Sequence, residues 1–278
     1  MRKVKGFTLI ELLMVISIIV LLMALLLPSL QKVRKQARAV VCRANLRQWA
    51  KAVALYAEDN QGRLPRDASG NVSMWFLRGS FISNVDPNES TSLRAVDTED
   101  IACCPMAVKP GRGGFTYLAS GQLYAKGMVG SAFEAWVMTF PGPPFRGSYG
   151  LNEWLFKRRF VPGRRRRSLS YTDTFSVRGN GNIPLLLDSA FLSALPDNRF
   201  EPPKFPDGFG PGMTPFCINR HNGHVNGLFL DWSVRKVGLK ELWTLKWHSD
   251  WDTANAWTKA GGVQPEDWPE WMRKFKDY

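Results

Sequence analysis

Histidine and cysteine are scarce, with three and four copies in 278 residues. That leaves little material for a metal cluster of the kind that neighbouring ligands announce in a sequence. No Gly-x-Ser-x-Gly elbow and no His-Glu-x-x-His pair occurs, so the common sequence forms of the serine hydrolases and zinc peptidases are excluded. A calcium loop of alternating carboxylates is missing as well. Acidic residues are few, 24 against 37 Lys and Arg, and the formal net charge is +13. That balance favours contact with anionic surfaces, nucleic acid or acidic lipid, and is silent on fold. Between Arg66 and Gly150 no long periodic run survives. Pro110-Gly111, Gly113-Gly114 and Pro141-Gly142-Pro143-Pro144 cut that region into short strands and loops.

What the chain has is one long apolar run. Leu12 to Leu27 contains Ser17 as its only hydroxyl, and Gly6-Phe7-Thr8-Leu9-Ile10-Glu11 leads into it. The stretch from Phe7 to Leu27 meets the roughly 20 residues that a helix needs to cross a bilayer. No alternation is present, so the run reads as helix and not strand. Glu11 is the awkward member, because a carboxylate within the bilayer costs about 2.5–3.5 kcal/mol on insertion scales. It therefore needs a partner. Arg2, Lys3 and Lys5 precede the run, as in a secretory signal, but a secretory cleavage site follows the apolar core and here the glycine comes before it.

These residues resemble the class III leader of type IV prepilins and type II secretion pseudopilins. The resemblance implies that a prepilin peptidase cuts after Gly6 and methylates the new N-terminus at Phe7. It also implies that Glu11, fifth in the processed chain, pairs with the N-terminal amine of a neighbouring subunit, and that Pro28 falls where pilin helices commonly kink. Basic residues flank the span on both sides, with Lys32, Arg34, Lys35 and Arg38 after it, so charge asymmetry does not set its orientation. The leader does: it places the start of the chain in the cytoplasm and the rest outside the inner membrane.

From Ser29 to Asn60 the helical pattern becomes amphipathic. Cys42, Leu46, Trp49, Val53 and Tyr56 recur at spacings of four and three and form one stripe, the core side of a domain. Gly62, with Leu64-Pro65 after it, is a helix stop. The expected division is a leader at 1–6, a transmembrane helix at 7–27, an amphipathic continuation at 28–62 and an exported head domain at 63–278. Ile183 to Asp188 reads as a buried strand ending in a carboxylate. Val225 to Leu230 and Ser233 to Val237 read as a hairpin. Trp243, Trp247 and Trp251, at intervals of four, suit a short helix that packs on the domain.

The segments Cys42-Arg43-Ala44-Asn45-Leu46-Arg47-Gln48 and Tyr56 to Pro65 resemble a pseudopilin-like family of planctomycete-type bacteria. Cys103-Cys104-Pro105 and Ser148-Tyr149-Gly150-Leu151-Asn152 resemble further elements of that family in the same order. So does His221 with Asp231, nine residues between them, matching a His-x9-Asp-Gly element in which Trp232 stands for the glycine. That substitution bears on the turn, since glycine accepts backbone angles that tryptophan resists.

Several residues have more than one reading. An exported domain can hold disulfides, so Cys42 is a partner for Cys103 or Cys104, with Cys217 available, and buried free thiols are the other reading. No motif sets a base beside any of these thiols. Arg164, Arg165, Arg166 and Arg167 form the densest basic run, suited to nucleic acid or an acidic polymer through charge alone, although it lacks interleaved aromatics for stacking bases. His221, His224 and Asp231 are the candidates for a metal-dependent site, but Asn222-Gly223 breaks the helix that a His-x-x-His pair would need. A hydrogen bond between His221 and Asp231 across the hairpin is the simpler expectation. The reading that unites these observations is an α+β, pilin-like protein: a long N-terminal helix packed on a domain with an antiparallel sheet. It is a structural subunit and not an enzyme, with no metal or cofactor expected and calcium left open. Its partners are prepilin peptidase, other pilin or pseudopilin subunits and the inner membrane. A polyanion-binding surface protein and an exported metalloenzyme are the alternatives.

Overall fold

The computed structural model describes residues 8–64, 101–111, 116–117, 123–124, 129–138, 145–155, 177–206 and 210–278. Gly6, Phe7 and Arg164 to Arg167 lie outside the described residues. The chain forms two compact units, Met1–Arg38 and Ala39–Tyr278, and one helix, α1 (Leu9–Asp59), contributes to both.

In the first unit α1 has no apolar partner. Every described residue before Ala39 is exposed, including the whole apolar run from Leu12 to Leu27. It is a helix long and apolar enough to cross a membrane, and its backbone polar groups are satisfied within the helix, as hydrocarbon surroundings require. Pro28 sits inside α1. Ser17 turns its hydroxyl back onto the Leu13 carbonyl at 2.7 Å, and Ser29 onto that of Leu26 at 2.8 Å, so neither leaves an unpaired hydroxyl on the apolar surface.

The second unit begins within α1. Ala39, Cys42, Leu46, Trp49, Val53 and Ala57 are buried at helical spacing, the stripe expected from the sequence. The helix ends at Asp59 where Gly62 adopts φ 78° and donates its N–H to the Ala57 carbonyl at 2.7 Å, a left-handed C-terminal cap that glycine accepts without steric cost. The unit is built on a five-stranded sheet. In chain order the strands are β1 (Lys109–Pro110), β2 (Thr116–Tyr117), β3 (Leu123–Tyr124), β4 (Glu134–Met138), β5 (Phe145–Gly147), β6 (Tyr149–Asn152), β7 (Pro184–Asp188), β8 (Ser193–Ala194), β9 (His224–Phe229) and β10 (Val234–Gly238). The main sheet runs β10-β9-β7-β6-β8, antiparallel except between β6 and β8. β1, β4 and β5 form a smaller sheet, and β2 pairs with β3. The architecture is α+β, a long helix with a sheet-rich C-terminal domain.

The main sheet is covered on both faces, which is why Pro184-Leu185-Leu186-Leu187-Asp188 reads as an unbroken buried run instead of an alternating one. One apolar cluster joins Cys42, Leu46, Trp49 and Val53 of α1 to Leu151, Leu185, Leu186 and Leu228. The other joins Leu187, Val225, Phe229 and Val237 to Trp243, Trp247, Trp251 and Trp268 of the C-terminal segment. That segment is therefore a lid on the second face. Its tryptophans do not share one helix. A 3₁₀ helix, Lys240–Thr244, stops when Leu245 turns extended, and Trp247 and Trp251 follow it with their indole N–H groups donated to the carbonyls of Leu242 at 2.8 Å and Trp243 at 3.1 Å. The four-residue spacing arises from ring packing and not from helical turns.

Candidate functional site

Two sites emerge, one in each unit. At the start of α1, Thr8 and Glu11 form a reciprocal cap. The Glu11 carboxylate accepts the Thr8 N–H at 2.8 Å and its hydroxyl at 2.7 Å, while the Glu11 N–H points to the Thr8 hydroxyl at 3.3 Å. This satisfies donors that a helix start leaves free and places a negative charge at the positive end of the helix dipole. It accounts for the Thr8-to-Glu11 spacing locally. Glu11 is the only charged residue from Leu9 to Leu27.

The second site lies wholly inside the second unit and is assembled from five separated stretches. Asp188, at the end of β7, is its hub. The Arg220 Nη1 donates to Asp188 Oδ1 at 3.0 Å, His221 Nε2 lies 3.1 Å from Oδ2, and the Asn226 backbone N–H donates to Oδ2 at 2.8 Å. Arg220 spends its other donors on backbone carbonyls, those of Ala132, Ser148, Ser131 and Ser189, at 2.8, 2.5, 3.0 and 3.0 Å. The thiols of Cys42 and Cys104 complete the group. Cys42 Sγ is 3.5 Å from Asp188 Oδ1, and Cys104 Sγ is 3.5 Å from His221 Nε2. Asn226 Nδ2 donates to the Cys42 sulfur at 3.2 Å, and the Tyr149 hydroxyl donates to the Cys42 carbonyl at 3.2 Å, with its oxygen 3.3 Å from the sulfur. All these side chains are buried.

Such burial makes charge pairing compulsory. Desolvation alone would keep the Asp188 carboxyl neutral, yet the charges of His221 and Arg220 outweigh it and hold the group well below the usual carboxylate range. Burial likewise opposes protonation of His221, but the Asp188 charge lifts it to about 9. His224 stacks beside it with ring centres 5.7 Å apart, and burial together with the His221 charge lowers it to about 4. Burial pushes the Cys42 thiol well up, with the adjacent Cys104 and Asp188 acting in the same direction.

The set does not form a nucleophilic triad. One nitrogen, His221 Nε2, faces both Asp188 and Cys104, whereas a triad needs the carboxylate and the nucleophile on opposite nitrogens of the ring.

The residues singled out by the sequence are thus distributed differently from expectation. His221 pairs with Asp188 and not with Asp231. The reason is topological: β7 runs beside β9, which brings the carboxylate at its end to the segment entering β9. Asp231 instead accepts the Ser233 N–H at 3.0 Å and stabilises the β9–β10 turn. Trp232 takes up φ 65° there, the angle for which the resembling element has glycine, and its ring packs against the core cluster of α1. His221, His224 and Asp231 do not gather as metal ligands. The grouping of ligand side chains among the described residues is Cys42, Cys104, Asp188 and His221. All four cysteines are free thiols. Cys217 is remote from the group and touches Met272 Sδ at 3.9 Å, and Cys103 approaches the Arg146 carbonyl at 3.6 Å. Sequence reasoning missed Arg220, Tyr149 and Asn226 as members of one site. Asp188 carried a faint signal as a carboxylate closing an apolar strand.

Comparison with known proteins gives two likenesses, each over part of the chain. Residues 1–27 match the prokaryotic N-terminal methylation motif. The type IV wide pilus major component PilA4 of Thermus thermophilus is 45% identical over 69 residues, which cover 25% of this chain and 53% of that protein. The chain spans about half the length of this curated relative. No solved structure matches the chain. The methylation motif and the exposed apolar helix support membrane anchoring with an exported C-terminal domain. Both likenesses, together with a capped apolar helix that leads into a sheet-rich domain, support a likeness to type IV pilins and pseudopilins.

Proposed function

We propose that the protein is a structural subunit of a type IV pilus or a type II secretion pseudopilus, cut after Gly6 by prepilin peptidase, methylated at Phe7 and assembled from the inner membrane with other subunits. The observation that carries the reading is the state of residues 8–27: an apolar helix whose side chains are all exposed, with a carboxylate near its beginning. Exposed apolar surface on this scale calls for lipid, other helices or both. Inside a bilayer the Glu11 charge is a liability, and the cation that would relieve it is the new amine of Phe7 on a neighbouring subunit. The pairing would favour addition of one subunit after another in register, so the same residue that penalises the isolated subunit directs assembly.

Mass spectrometry of the protein from its native membrane tests the processing step. A mature chain beginning with N-methyl-Phe7 is expected, and an intact Met1 would overturn it. For the assembly step, Glu11→Ala should leave the chain processed and membrane-bound but absent from filaments. Undiminished incorporation would refute the pairing.

A further inference from the structure

The buried group around Asp188 has features that a simple ion-pair network does not require. Its four ligand atoms, Cys42 Sγ, Cys104 Sγ, an Asp188 oxygen and His221 Nε2, all lie within 4.8 Å of one another. The separations between them include 3.7 Å from Cys42 Sγ to Asp188 Oδ2, 3.5 Å from Cys104 Sγ to His221 Nε2 and 3.1 Å from His221 Nε2 to Asp188 Oδ2. A tetrahedron with metal–sulfur distances of about 2.3 Å and metal–nitrogen or metal–oxygen distances of about 2.0–2.1 Å has edges of about 3.3–3.8 Å. Two of these three separations fall in that range and the third lies just below it.

Two further observations are independent of those distances. The Cys42 sulfur accepts a buried donor, Asn226 Nδ2 at 3.2 Å, while the Tyr149 hydroxyl, 3.3 Å from the sulfur, donates to the Cys42 carbonyl at 3.2 Å. Sulfur in a thiol is a weak acceptor, and a buried amide donor directed at it suits a thiolate. The second is charge. Two thiolates, the Asp188 carboxylate and a neutral His221 carry three negative charges. A divalent cation leaves one, and Arg220, in contact with Asp188 at 3.0 Å, cancels it.

We propose that Cys42, Cys104, Asp188 and His221 bind one zinc ion as a closed structural site. Thiolate, imidazole and carboxylate donors in a four-coordinate set are those of zinc, and the burial of every donor leaves no open position for a substrate. Tyr149, Asn226 and Arg220 orient the ligands from outside the first sphere. The ion ties α1, through Cys42, to the chain at Cys104, to the end of β7 and to the approach to β9, four points that the backbone joins only through long connections. The site belongs to the folding of the exported domain and is independent of cleavage and filament assembly.

Metal analysis of the full chain, purified in detergent without chelators, tests the proposal. About one zinc per chain is expected. After removal by chelator, cobalt(II) should restore the intense visible bands of tetrahedral coordination together with sulfur-to-cobalt charge-transfer absorption. Cys42→Ser and Cys104→Ser should lose the charge-transfer intensity or the metal, while Cys217→Ser keeps both. Asn226→Ala leaves all four ligands in place and should weaken metal binding by about 10–100-fold, which keeps the test informative if the ligand variants fail to fold. Folded wild-type protein that holds no zinc and gives no cobalt–thiolate absorption would overturn the proposal, as would a Cys42–Cys104 disulfide in protein recovered from the exported compartment.

Discussion

α1 passes through two environments within one unbroken run of residues. Before Ala39 every described side chain is exposed, and Leu9, Val20 and Leu25 are 83%, 65% and 71% exposed. From Ala39 onward one stripe of apolar residues is buried, with Cys42, Leu46, Trp49 and Val53 fully enclosed, while Val40, Val41 and Leu55 on the other faces stay exposed. From Leu12 to Leu27 the first stretch is apolar around its whole circumference, the pattern of a helix that other molecules must surround. The second is apolar along one stripe and charged elsewhere, the pattern of a helix with one face on a core. Stability of the domain should therefore depend on the second stretch and its contacts, and assembly on the first.

Asp188→Ala gives the hardest test on the domain side. It strands Arg220 and His221 in the interior, and loss of one member of a buried charged group costs about 3–5 kcal/mol, to be read as a shift in denaturant midpoint of the detergent-solubilised chain by tryptophan fluorescence. A variant as stable as the wild type would show that the hub is not structural. Trp247→Ala should follow, at about 3 kcal/mol or more, because it opens a cavity on the second face of the sheet where the ring is fully buried. Gly223→Ala is smaller, about 1–2 kcal/mol, since the residue sits at φ 90° and a Cβ would come within 2.8 Å of Phe275. Glu11→Ala closes the series. It should move the domain's denaturant midpoint by less than about 0.5 kcal/mol while removing the protein from filaments. A large loss of domain stability with Glu11→Ala would erase the distinction between the two stretches.

The residues differ in how plainly their surroundings can be read in advance. Gly6, Thr8 and Glu11 act within a few positions of one another, so their spacing conveys their relation. The stripe on α1 and the stop at Gly62 are likewise local, and the helix ends at Asp59, one residue from the expected Asn60. The hairpin at β9 and β10 is legible from its turn glycines and the strand run between them, with its strands starting one residue from expectation. The buried group was not. Cys42 and Asp188 are separated by 146 positions and Cys104 and His221 by 117, and no periodicity links residues that meet only when β7 lies against β9 and α1 covers the sheet. The resemblance to His-x9-Asp-Gly elements drew attention to His221 for a sound reason but supplied the wrong partner, because Asp231 serves the adjacent turn.

The N-terminal segment thus carries its meaning in its own order of residues. A basic leader, a glycine, a capping threonine, one carboxylate and an apolar helix need no distant contact to be recognised, since a membrane helix satisfies its backbone internally and finds its apolar surroundings outside the chain. The pairing of Asp188 with Arg220 and His221, the approach of two thiols to that pair, and the use of the tryptophan-rich tail as a second cover for the sheet were settled only in three dimensions. Desolvation is the reason. A charge that would be indifferent to its neighbours in water becomes strongly selective once buried, and which groups are buried together is a property of strand order and not of sequence spacing.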